Sequence, residues 1–104
     1  MNNLNLPRKE WKDYCDRSSK KLSGKNIRVE VISIGLGDQI LAKSLPLLGI
    51  TYDPKDDVLE IAMNGLDHLI VKPTEILVVE ENGVPSSLEI IDSEGQRQIL
   101  TVIA

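Results

Sequence analysis

A chain of 104 residues has room for one compact domain and little else. Its hydrophobic share of 41% suffices for a folded core and excludes a disordered chain, while a net charge of -4 and a pI of about 4.9 argue against nucleic acid or an anionic membrane as partner. One Trp, two Tyr and no Phe leave a core of Ile, Leu and Val, without the ring surfaces on which bases stack.

The opening Met1-Asn2-Asn3-Leu4-Asn5 is polar and lacks the apolar stretch of a signal peptide. No apolar run reaches membrane-spanning length, so the expectation is a soluble cytoplasmic protein. Pro7 suits the first position of a helix, because its missing N–H is not needed there. From it Trp11, Tyr14, Cys15, Ser18 and Leu22 recur every three or four residues and predict an amphipathic helix over about residues 7–23, ended by Ser23-Gly24. Eight of the twelve basic residues lie between Arg8 and Arg28 and read as a solvated helix face rather than a binding patch. Cys15 is the only cysteine, which rules out an internal disulfide and fits a reducing compartment. On the apolar stripe it acts as a small hydrophobe rather than a nucleophile.

Beyond the helix the period drops to two. Ile27, Val29 and Val31 alternate with Arg28 and Glu30 as in a half-buried strand. Gly35-Leu36-Gly37-Asp38 reads as a turn, and a second strand covers 39–44. Leu45 to Ile50 is apolar but broken by Pro46 and Gly49, which suits an edge or a bend. Asp53-Pro54-Lys55-Asp56 has turn chemistry, and 58–63 returns as a strand. Asn64 to Val71 reads as a short helical turn capped by Asn64 and closed before Pro73. Strands over 75–80, 87–92 and 97–103 come next, linked at Asn82-Gly83 and Glu94-Gly95. The fold class is α+β: an N-terminal amphipathic helix packed on a curled, mainly antiparallel sheet of about six strands spanning residues 26–104. The last three strands are apolar on both faces, and one helix covers only one of them. Either the sheet curls onto itself or a second copy of the chain buries the other face.

Polar chemistry concentrates between Thr51 and Ile70. His68 beside Asp67 is the first place to look for a general base, although neighbouring residues point away from each other on either a helix or a strand. Asp53, Asp56 and Asp57 offer oxygen ligands without the spacing of a calcium loop, and read more simply as an Asp53-capped turn with Asp56 and Asp57 solvated. Gly35-Leu36-Gly37-Asp38 lacks the third glycine of a dinucleotide fingerprint and the Gly-Lys-Ser/Thr of a phosphate loop.

Leu6-Pro7-Arg8 leading to Trp11, Leu36-Gly37-Asp38-Gln39, Leu47 to Asp57, Leu59-Glu60-Ile61, Gly65-Leu66-Asp67-His68-Leu69-Ile70, Pro73-Thr74-Glu75-Ile76 and Arg97-Gln98-Ile99-Leu100 fall in an order and spacing that resembles one group. It is a family of short bacterial proteins labelled only as a domain of unknown function, DUF5335. The resemblance spans nearly the whole chain and implies a small stand-alone domain. It carries over no catalytic or binding residues.

Two functions stand as expectations. The first is a non-enzymatic interaction or self-association domain, a homodimer or a partner of another protein, using sheet surface and the segment containing Leu45, Leu47, Leu48 and Ile50. The second is a small hydrolase or ligand-binding protein gathering His68, Asp67, Asp38 and Asp53, with a magnesium- or manganese-like ion in place of zinc if it holds a metal. No cofactor is expected for the first.

Overall fold

A computed structural model describes residues 2–104. The N-terminal helix forms where the apolar stripe places it. A single 3-10 turn, Arg8–Glu10, leads into α1, Trp11–Leu22, and Trp11, Tyr14, Cys15, Ser18 and Leu22 are all buried. Gly24, in the left-handed region with φ +84°, then turns the chain back toward the sheet.

Eight strands take the order β1-β6-β7-β8-β2-β3-β4-β5 in one open sheet, every neighbouring pair antiparallel. They are β1, Asn2–Asn5; β2, Asn26–Ser33; β3, Gly37–Asp53; β4, Val58–Met63; β5, Leu66–Val71; β6, Pro73–Glu81; β7, Val84–Asp92; and β8, Arg97–Val102. The helix and antiparallel sheet stand as expected, but about six strands become eight. The first addition is β1, whose polar Asn2-Asn3-Leu4-Asn5 pairs with β6 despite having no strand pattern of its own. The second is β5, where a short helical turn was expected. Asn64-Gly65 closes a two-residue hairpin with Gly65 at φ +86°, and the residues after it pair with β4 from Met63↔Leu66 to Val58↔Val71.

The 17-residue strand β3 shapes the molecule. Its first half pairs with β2 on one edge and its second half pairs with β4 on the other. Register shifts fall on both sides of the change of partner, between Ile27 and Val29 and between Val29 and Glu30 opposite the first half of β3, and between Leu47 and Gly49 in its second. Extra residues on one strand bend it and sharpen its twist. The expected bend at Leu45–Ile50 is therefore real, but it lies inside a central strand rather than at an edge. Folding at this bend sets the inner side chains of β4 and β5 (Leu59, Ile61, Met63, Ile70) into one buried cluster with Val29, Ile76, Val78, Leu88, Ile90 and Leu100 from the other part of the sheet.

The helix covers the β3 edge that β2 leaves open. Ile50 N–H donates to Ser19 Oγ at 2.7 Å, and Gly24 N–H and Leu47 N–H donate to the backbone carbonyls of Leu47 and Lys25. Trp11 packs edge-on against Tyr52, with ring centres 5.2 Å apart. No helix among the described residues is long and apolar enough to cross a membrane.

Candidate functional site

The sheet has two outermost strands, β1 and β5, and β3 leaves a third stretch of open edge where β4 does not reach it. Open edges invite further strands unless charge, proline, bulges or shortness discourage them. β1 is four residues of mostly asparagine. The open part of β3 carries Lys43, ends at Pro46 and is broken by two register shifts. β5 is less guarded: it pairs in unbroken register with β4, holds no proline, and Asp67 is the one charged residue within Leu66–Val71.

Pairing alternates along β5, so its side chains and its backbone groups each fall into two sets. The inner set is Leu66, His68 and Ile70, opposite Met63, Ile61 and Leu59. Because the two-residue turn makes Met63↔Leu66 a hydrogen-bonded pair, this same set directs its N–H and C=O toward β4. Asp67, Leu69 and Val71 turn theirs toward solvent. Leu69 and Val71 are 56% and 55% exposed, with no residue packed over them as core.

A buried polar chain holds the inner side of β5 in place. Gln98 on β8 donates from Nε2 to Asp92 Oδ2 at 3.0 Å, and its Oε1 meets His68 Nε2. With Gln98 Nε2 given to Asp92, its Oε1 is the atom that faces His68 Nε2. Asp92 Oδ1 in turn accepts from the backbone N–H groups of Glu94 and Gln96 at 2.9 and 3.0 Å. Asp92 and Gln98 are 7% and 6% exposed, so the chain ties the last strand of the sheet to its middle through the interior.

The residues the sequence singled out do not assemble. Asp67 lies on the face of β5 opposite His68, as adjacent strand positions must. Asp53 caps its own turn, accepting from Lys55 N–H at 2.9 Å and Asp56 N–H at 3.4 Å. Asp38 stands beside Glu30 on the β2–β3 ladder. Its hydrogen bond, then desolvation, holds the Glu30 carboxyl above the usual carboxylate range, and Arg28, 3.7 Å away, pulls the other way. Among the described residues, no three His, Cys, Asp or Glu side chains are grouped to hold a metal ion. Of the four interface candidates, Leu47 and Ile50 are fully buried and Leu45 is packed against the core; Leu48 alone is exposed, at 61%. The bend turns Leu47 and Ile50 inward, which corrects their reading as surface anchors.

Asp57, read as solvated, belongs to a node that sequence spacing could not reveal. Its Oδ1 accepts from the Tyr52 hydroxyl at 2.7 Å and from Arg8 at 3.3 Å, and Arg8 also donates to Pro73 O at 3.1 Å and stacks over Trp11. A cleft of about 470 Å³ opens beside it, rimmed by Lys9, Lys12 and Pro54. Arg8, Tyr52 and Asp57 satisfy one another, so the node pins the start of α1 to the β3–β4 turn. Of the residues missed by sequence reasoning, Gln98 and Arg8 act through partners 30 to 65 positions away, while Asp92 joins the polar chain through neighbours two to six positions along.

Two comparisons with known proteins cover nearly the whole chain. A family described as "Family of unknown function (DUF5335)" matches residues 2–103. An "Uncharacterized protein" of Aquifex aeolicus (strain VF5) is 44% identical over 98 residues, covering 93% of this chain and 88% of the relative. No solved structure matches.

Proposed function

The chain belongs to DUF5335, a family of unknown function, and from its geometry we propose that it is a small non-enzymatic interaction domain that binds protein by accepting a strand at β5. One observation carries this reading: β5 is an outermost strand in unbroken register with β4, its other edge open, and its outer residues Leu69 and Val71 are more than half exposed. Added strands gain affinity from main-chain hydrogen bonds and specificity from alternate side chains, and β5 offers both. Its inner face is already fixed by the His68–Gln98–Asp92 chain, so the edge is organised before any partner arrives. Leu48 is the residue of the Leu45–Ile50 segment still able to contribute. A cytoplasmic setting accords with the free thiol of Cys15. The hydrolase reading draws no support from the arrangement of His68, Asp67, Asp38 and Asp53, which engage separate surroundings.

The test is site-specific photo-crosslinking in cells. A photoreactive residue at position 71 is expected to capture a polypeptide, copies of the chain included, with the adduct mapped to a strand by mass spectrometry. The same group at Thr51, exposed on β3, is the control. Equal capture at both positions, or none at 71, overturns the reading.

A further inference from the structure

We infer that the strand added at β5 is β5 of a second copy, paired antiparallel about a two-fold axis through Leu69; this rests on the edge reading above. The outward-directed backbone groups belong to Asp67, Leu69 and Val71, a set symmetric about Leu69. A two-fold axis there sets Leu69 against its own copy and Asp67 of each chain against Val71 of the other. All three residues then form hydrogen-bonded pairs, each exchanging two backbone bonds. Centring the axis on His68 or Ile70 leaves one of the three facing a residue beyond the strand. The register with the most bonds is thus fixed by the strand itself, as self-complementarity in a two-fold interface requires.

The side chains fit the same register. Leu69 and Val71 share the outer face of β5, and the axis joins them with their copies into one aliphatic row. Asp67 of each chain is set opposite the uncharged Val71 of the other. No like-charged pair is created along the seam. The contact is small, below the roughly 1,200 Å² of stable interfaces, so the dimer is expected to form and dissociate in the micromolar range and above.

Three measurements on the purified full chain test this together: light scattering across micromolar to millimolar concentration, amide exchange at Asp67, Leu69 and Val71, and oxidative crosslinking in a Cys15→Ser background. The expected result is a concentration-dependent dimer, protection of those three amides as it forms, and a disulfide-linked dimer from Leu69→Cys but not from Asp67→Cys. A chain that stays monomeric with β5 amides unprotected overturns the second-copy assignment; if position 71 still crosslinks another protein in cells, the edge reading survives it. A crosslink from Asp67→Cys in preference to Leu69→Cys overturns the register. A dimer whose β5 amides exchange as in the monomer overturns the second-copy assignment at β5 and leaves the edge reading to the crosslink at position 71.

Discussion

Cys15 lies on the buried stripe of α1, where desolvation, with Asp16 nearby, pushes its thiol up to about 12 from an ordinary 9.0. The neutral thiol is therefore favoured in the folded state. Its contribution to stability is complete below about pH 9 and is lost as pH rises from there toward 12, because only the unfolded chain ionises readily in that window. Native protein at pH 8 is expected to resist thiol-specific reagents and to react once denatured. A Cys15→Ala variant should show a shallower alkaline decline in denaturant titration, the raised Tyr14 and Tyr52 hydroxyls supplying the rest. Leu47 and Leu48 make the sharper contrast, being adjacent and chemically identical. Leu47→Ala should cost about 2–5 kcal/mol, since its side chain is wholly inside, whereas Leu48→Asp should stay within about 0.5 kcal/mol in urea unfolding. Composition does not separate the two leucines; as adjacent strand positions they face opposite sides, and the extra residue between Leu47 and Gly49 lets Leu47 and Ile50 both face inward.

At the scale of elements, α1 was readable because its signal is internal. Five positions at helical spacing, a proline before them and a glycine after them all act within the helix itself. Its docking was not readable, and it depends on Ser19, whose hydroxyl accepts from Ile50 N–H and lies within 2.6 Å of Ile50 O and 3.0 Å of Cys15 O. Ser19→Ala would leave the Ile50 amide without its partner and is expected to cost about 1–3 kcal/mol. β5 shows the opposite case. Leu66, Leu69, Ile70 and Val71 satisfy a helical period as well as a strand period, and Asn64 reads equally as a cap or as a turn residue. Pairing with β4 decided between them, because six backbone partners outweigh a weak local preference. Gln98→Leu removes the acceptor of His68 and the donor to Asp92 together. Loss of about 1–3 kcal/mol is expected, with amides of Leu66, His68 and Ile70 exchanging faster than those of the β6–β7 hairpin. Equal exchange in both regions would show that the polar chain does not hold β5.

For the whole molecule, association at β5 predicts a thermal midpoint that rises with protein concentration, as mass action requires when only folded chains pair. A midpoint constant across a hundredfold dilution would contradict it. Two-faced apolar character in the last strands prompted the choice between a curled sheet and a covering partner. The bend at β3 supplies the curl for the inner residues Ile76, Val78, Leu88, Ile90 and Leu100, while Leu77, Val79, Ile91 and Ile99 remain half-buried on the outer face. The sequence by itself determined the helix, the strand-rich remainder, the turns at Asp53 and Asn82-Gly83, and the resemblance to one family. Each depends on residues close together along the chain, whose periodicity and turn chemistry act locally. Only the tertiary structure decided which leucines are core, where His68 finds its partner, how Arg8 joins Tyr52 and Asp57, and which edge stays open. Those outcomes depend on contacts between residues far apart in sequence, set by a strand that changes partners midway, and no local pattern encodes that exchange.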